Sequence, residues 1–204
     1  MKLTLVTPPS AEPVTLPEAR LQLRLYATGS LENIAEDAYI AGLITAARDY
    51  VENVTGRALV TQTWDVFFDR WPWGDAITLP KAPLQSVTSL TYYDTDRTAA
   101  TLTEGTEFTV DTDSAPGRIV LENGEIWPTT QLHPNNPIKI RFVAGYLDTS
   151  SPPDTVAGVP ANIKHAIKLL VTHWYGQRTP TGDVVASIPW GVDALLAPYR
   201  MWRY

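Results

Sequence analysis

Apolar residues recur along this chain with two different periods, and the change of period divides it. From roughly Asn33 to Thr55, Ile40, Leu43, Ile44, Ala47, Val51 and Val54 fall at three- and four-residue spacing on one face, and Gly56 stands where such a helix would end. A shorter helix is predicted ahead of it, opening at Thr15 and running to about Leu25. Thr15, Pro17 and Glu18 form a capping-box pattern, in which two side chains satisfy backbone N–H groups that have no partner inside the helix. After Arg57 the period becomes two. Trp64, Val66 and Phe68 alternate with Asp65, Phe67 and Asp69, which predicts a strand with Trp64 facing a core.

Further strand-like runs occupy residues 76–79, 87–93, 107–111, 118–122 and 138–143. Turn chemistry separates them at Trp71-Pro72-Trp73-Gly74, at Pro80 and Pro83, at Asp94 and Arg97, at Ala115-Pro116-Gly117 and at Glu122-Asn123-Gly124. A Ser-, Pro-, Asp- and Thr-rich linker over 147–158 leads to Pro160, a residue suited to a helix start because its missing N–H has no partner there. Helical spacing then returns, with Ile163, Ala166, Ile167, Leu170, Val171 and Trp174 in one stripe. That stripe and the matching face of the second helix are natural partners.

The predicted class is therefore α+β. The N- and C-terminal segments form a helical core, a small antiparallel β domain is inserted between them, and an extended C-terminal arm follows. The expected boundaries are 1–59 for the first part of the core, 60–146 for the insertion, 147–187 for the second part and 188–204 for the arm. The arm carries Trp190, Leu195, Leu196, Tyr199, Arg200, Trp202, Arg203 and Tyr204 in a stretch broken by Pro189 and Pro198. It has little core of its own, so it packs either onto this domain or onto another chain.

Composition sharpens this reading. The chain has 204 residues, 44% of them hydrophobic and 19% charged, as ordered globular proteins have. Its 17 Pro and 7 Trp suggest many loops with aromatic anchors that want a partner surface. The formal charge is −6, and the basic residues form no run able to track a nucleic-acid backbone. There is no cysteine, which removes disulfides, thiolate metal sites and Cys nucleophiles and suits a reducing cytoplasm. Pro8 and Pro9 interrupt the N-terminus before any signal-peptide core, and no run approaches the roughly 20 apolar residues that span a bilayer. The expectation is a soluble, non-secreted chain with no membrane partner.

Catalytic chemistry finds no foothold. There is no G-x-S-x-G elbow, no glycine-rich phosphate loop and no H-E-x-x-H spacing among His133, His165 and His173. Asp94-x-Asp96 and Asp111-x-Asp113 lack the Gly and distant Glu of a calcium loop and read as carboxylates in turns. No enzyme activity, no cofactor and no metal are expected. A rival from another class is a carbohydrate-binding module, with Trp64, Trp71, Trp73, Tyr92, Tyr93 and Trp127 as a stacking platform. The simpler reading puts Trp64 in a core and the other indoles over a sheet edge or an interface.

The order of landmarks resembles the head-tail connector, or adaptor, family of long-tailed bacteriophages and gene transfer agents. The matching stretches begin with Val14-Thr15-Leu16-Pro17-Glu18-Ala19, Thr55-Gly56-Arg57-Ala58-Leu59 and Tyr92-Tyr93-Asp94. They continue through Trp127-Pro128, Arg141-Phe142-Val143-Ala144-Gly145-Tyr146, Ile188-Pro189-Trp190-Gly191-Val192 and Leu195-Leu196-Ala197-Pro198-Tyr199-Arg200. The resemblance spans nearly the whole chain, and its specificity lies in order and spacing rather than in one motif. It implies a structural virion protein at the neck, assembled in the host bacterial cytoplasm. Such a subunit forms a ring with copies of itself, typically a dodecamer, beneath the portal protein and above a tail or stopper protein. The arm would grip the portal, and genome DNA would pass through the channel without specific binding, as an acidic wall allows. A neck stopper or tail-completion protein is the runner-up within the same class.

Overall fold

The computed structural model describes residues 1–25, 32–147, 156–177 and 190–201. The chain divides into two compact units, one of Met1–Ser10 with Thr61–Leu147 and one of Ala11–Val60 with Asp148–Tyr204. The first is built of strands β1 (Lys2–Thr7), β2 (Gln62–Phe68), β3 (Ala76–Thr78), β4 (Leu84–Tyr93), β5 (Ala99–Leu102), β6 (Phe108–Asp111), β7 (Arg118–Leu121) and β8 (Ile138–Ala144). The second holds helices α1 (Leu16–Gln22), α2 (Glu32–Thr55), α3 (Ala161–Gly176) and α4 (Trp190–Leu196), followed by a 3-10 turn over Ala197–Tyr199. The mixed α+β class read from the sequence is the class observed.

In the strand unit, β1-β2-β8-β4-β5 form one antiparallel sheet and β3-β7-β6 a smaller one. Register places Val66 opposite Ile140, and Ile140 opposite Leu90, so these side chains share one face. Ile138, Ile140 and Phe142 alternate inward along β8, and all three are fully buried. Ile77, Phe108 and Ile119 are the buried contribution of the smaller sheet. The turn before β7 comes so close to β4 that a side chain on Gly117 would meet Leu84 Cβ at 2.5 Å, which only glycine avoids.

Asp65 keeps its place in the period-two pattern, on the face opposite Val66, yet it is only 6% exposed. Arg141 explains this: register sets it beside Asp65, and its Nε and Nη2 donate to the two carboxylate oxygens at 2.8 and 2.9 Å. Lys139 adds a third cationic contact at 3.0 Å. Hydrogen bonds from Arg141 hold the Asp65 carboxyl below the usual range, against a desolvation that pushes it up. Trp64, expected in the core, is half-buried and lies under Lys81 Nζ at 5.2 Å from its ring centroid.

In the helical unit the capping box is present, with the Thr15 N–H donating to Glu18 Oε2 at 2.8 Å and the Glu18 N–H to Thr15 Oγ1 at 3.4 Å. The expected pairing of α2 with α3 also forms. Ile40, Ile44, Ala47 and Val51 meet Ile163, Ala166, Ile167, Leu170 and Val171 as a dry interface, all at 2% exposure or less. Leu43 and Val54, assigned to the same face, are half-buried at its margin. Tyr39 with Tyr175, and Tyr50 edge-on to Trp174 at 6.3 Å, flank this interface.

Two parts of the chain differ from the sequence reading. Met1–Ser10, grouped with the helical core over 1–59, belongs to the strand unit because β1 pairs with β2. A six-residue strand at a terminus gives no helical or turn signal, and only its partner identifies it. The arm over 188–204 is not extended where it is described, since residues 190–199 coil into α4 and the 3-10 turn.

Candidate functional site

The C-terminal segment is the candidate partner-binding site, and its geometry follows from a four-residue spacing. Val192 and Leu196 lie one turn apart on α4, and both are completely buried against α2 and α3. Trp190 points away, 85% exposed. Leu195, Tyr199 and Arg200 are half-buried. Leu196 is therefore a core residue of this chain rather than a partner contact, contrary to the reading of the whole segment as an intermolecular anchor. Trp202, Arg203 and Tyr204 lie outside the described residues, as do Ile188 and Pro189.

Hydrogen bonds to two backbone carbonyls latch the segment in place. The Met201 N–H donates to the Thr55 carbonyl at 2.9 Å, and Arg57 Nε donates to the Tyr199 carbonyl at 2.7 Å. Both acceptors would otherwise be orphans at a helix end. Gly56 takes φ +72° to end α2, and a side chain there would stand 3.1 Å from the Met201 Cε. Arg200 pairs with Asp193 at 2.9 Å across α4. Burial raises the Tyr50 phenol, and the Asp193 charge adds to that shift. These contacts hold the segment to its own unit and, among the described residues, leave Trp190 facing outward beside the half-buried Leu195, Tyr199 and Arg200.

The other chemistry candidates occupy structural roles. Asp94 Oδ1 accepts from the N–H groups of Asp96 and Thr98, and Asp111 accepts from those of Asp113 and Ser114 as well as from Arg118. Hydrogen bonds from Ser114 and Arg118 hold the Asp111 carboxyl well below the carboxylate range. His133 Nε2 accepts from Arg97 Nε at 3.2 Å, while His165 is exposed and His173 half-buried on α3. Among the described residues no group of three His, Asp or Glu could hold a metal ion. No helix among them is long and apolar enough to cross a membrane.

The indoles proposed as a sugar platform are largely spent on each other. Trp71 and Trp127 stack at 4.9 Å with planes 6° apart, Tyr92 meets Trp71 edge-on, and Trp127 Nε1 donates to the Gly74 carbonyl at 2.8 Å. Trp73, at 99% exposure, stands apart from this stack.

Comparison with known proteins gives a consistent answer. No curated protein matches the chain. Among solved structures it is similar to a chain of "Neck of empty GTA particle computed with C6 symmetry", with TM-score 0.80 and 27% identity. It is likewise similar to a chain of "Virion of native gene transfer agent (GTA) particle", with TM-score 0.77 and 27% identity. A third match is to "Neck of native GTA particle computed with C12 symmetry", with TM-score 0.73 and 26% identity. In each case 100% of this chain and 97% of the other are covered. The family described as "Head completion protein" matches residues 25–201, which reaches into both units and includes α4 but leaves out β1 and α1. The resemblance to head-tail connectors carried by the sequence thus stands, and the chain belongs to the head completion protein family.

Proposed function

We propose that this chain is a structural subunit of the neck of a tailed-phage-like particle, a head-to-tail adaptor that closes into a ring on the portal and lets the genome pass. The observation that carries the reading is the match along the entire chain, at 97% coverage of the other, to a component of gene transfer agent necks. The cyclic symmetry of those necks supports a ring, and the chain's net charge of −6 suits a channel that DNA traverses without adhering.

The portal contact is assigned to the outward side of the C-terminal segment: Trp190, Leu195, Tyr199 and Arg200, continued by Trp202, Arg203 and Tyr204. Trp, Tyr and Arg are the residues that most often dominate interface energetics. Leu196 is left out because its side chain is already buried within the subunit. The test is to mix the purified protein with portal rings from the same particle and image the product. Ring-on-ring density supports the adaptor. A protein that binds another neck ring instead would be a stopper. Trp190→Ala combined with truncation after Met201 is expected to leave the thermal melt nearly unchanged while portal binding falls at least tenfold. Unchanged binding would move the portal contact elsewhere.

A further inference from the structure

The five-stranded sheet has two unlike faces. Its apolar face carries Val66, Leu90, Ile138, Ile140 and Phe142. On the other face, register lines up Lys2 and Thr4 of β1 with Phe67 and Asp65 of β2, and these with Lys139 and Arg141 of β8. Ser89 and Thr91 of β4 and Thr101 of β5 continue the row. Three cations meet one carboxylate here, a local balance of +2 (3 − 1) on a chain of net charge −6. Asp65 is wholly engaged by Arg141 and Lys139, whose side chains keep 37% and 28% exposure. Lys2 and Lys139 both reach Phe67, at 5.9 and 6.0 Å from the ring centroid.

The small sheet carries the opposite sign. Between Arg97 and Lys139 the only Lys or Arg is Arg118, and it is bound to Asp111 at 2.7 Å. The turns around β6 and β7 gather Glu104, Glu107, Glu122 and Glu125: the Glu122 N–H donates to the Glu107 carbonyl at 3.1 Å and the Glu125 N–H to the Glu122 carbonyl at 3.0 Å. None of the four makes a salt bridge among the described residues. Glu107 Oε2 accepts from the Thr103 N–H at 2.7 Å, and with no cation beside any of the four, their like charges repel one another unless an outside cation approaches.

The small sheet covers the apolar face of the larger one, where Gly117 meets Leu84 and where Phe68 and Ile138 border a cleft with Ile77 and Thr78. The basic face is the one the small sheet leaves uncovered, and the glutamate rim begins in the turn that follows β5. A cyclic ring needs two such surfaces, because its contact is heterologous: each copy offers two different, complementary patches. DNA is the poorer occupant, since a net +2 supplies few of the phosphate contacts on which nucleic-acid affinity depends.

We infer that the Lys2–Lys139–Arg141 face of one subunit docks on the glutamate rim, Glu104, Glu107, Glu122 and Glu125, of the next copy in the ring. The inference rests on the ring reading proposed above. The test uses two full-length variants, Lys2→Glu with Lys139→Glu, and Glu104→Lys with Glu125→Lys, assembled on portal rings at low salt and counted by electron microscopy. Each variant alone meets like charge at every contact, so ring yield should fall at least tenfold. Mixed in equal amounts they should recover rings of alternating subunits, since each reversed surface then faces its complement.

Rings formed by either variant alone at wild-type yield overturn the inference. So does failure of the mixture when both variants melt like the wild type. A face variant that assembles but no longer retains DNA would assign the face to the genome and overturn it too. If the Lys139→Glu protein is unfolded, Lys2→Gln with Lys139→Gln replaces it, and a ring yield unmoved by those changes has the same overturning force. Absence of rings from the unmodified protein would instead refute the ring reading itself, and the docking inference with it.

Discussion

The two ends of the chain both carry short apolar stretches, yet those stretches meet opposite fates. The N-terminal strand β1 adds to a sheet edge and stays largely exposed, with Leu5 and Val6 each 41% accessible. The C-terminal helix α4 sends Val192 and Leu196 to zero exposure and ties its exit to Thr55 and Arg57. Burial and backbone latching, rather than hydrophobicity of sequence, decide whether a terminus is part of a core. The C-terminal segment accordingly has two unlike sides. Its inner side completes the helical unit through Val192 and Leu196, and its outer side exposes Trp190.

The sharpest way to break that comparison is Leu196→Asp, which places an unpaired charge among α2, α3 and α4 and should abolish cooperative folding of the helical unit. A normal melting transition would mean that α4 is detachable. Next in size, Leu196→Ala should cost about 2–5 kcal/mol by cavity formation, read from the denaturant midpoint of a two-state melt. A cost below about 1 kcal/mol would put the C-terminus on a par with the N-terminus.

Between the two extremes stands Asp65, on the strand to which β1 is added. Its carboxyl is held below the ordinary value, so its contribution is fully present above about pH 4 and is lost as pH falls through the lower folded value. Asp65→Asn should lower stability at pH 7 and flatten the acid limb of a stability-versus-pH curve. An unchanged slope between about pH 5 and pH 2 would show that Arg141 and Lys139 do not act through this charge. Smallest of all, Leu5→Ser should shift stability by no more than about 0.5 kcal/mol, because the side chain is already partly in water. A larger loss in the isolated protein would show that β1 is as integral as α4.

Much of the helical unit was legible in one dimension. The capping box at Thr15 and Glu18, the span of α2 and the α3 stripe are local patterns whose physical cause lies within a few residues. Val192 and Leu196 carried the same kind of signal, a one-turn spacing, but Pro189 and Pro198 on either side made the segment read as broken. β1 carried only a brief alternation, Leu3-Thr4-Leu5, too short to identify a strand before β2 offers it an edge.

The candidate interface was legible only in part. Trp190, Tyr199 and Arg200 were singled out by residue type, and composition alone picked Leu196 with them. Whether an apolar residue faces inward or outward depends on which neighbours arrive from more than 100 residues away, as Thr55 and Arg57 do for Met201 and Tyr199. By itself, then, the sequence determined the class of fold, the two-helix core, the turns between strands and the order of landmarks shared with head-tail connectors. Those features arise from periodicity, capping and backbone preferences acting over short stretches. Only the tertiary structure decided that β1 joins the sheet, that Asp65 is buried beneath its two cations, and that Lys2, Lys139 and Arg141 gather on one face while the turns of Glu107 and Glu122 meet. Each depends on contacts between residues far apart in the chain, and such contacts leave no periodic trace.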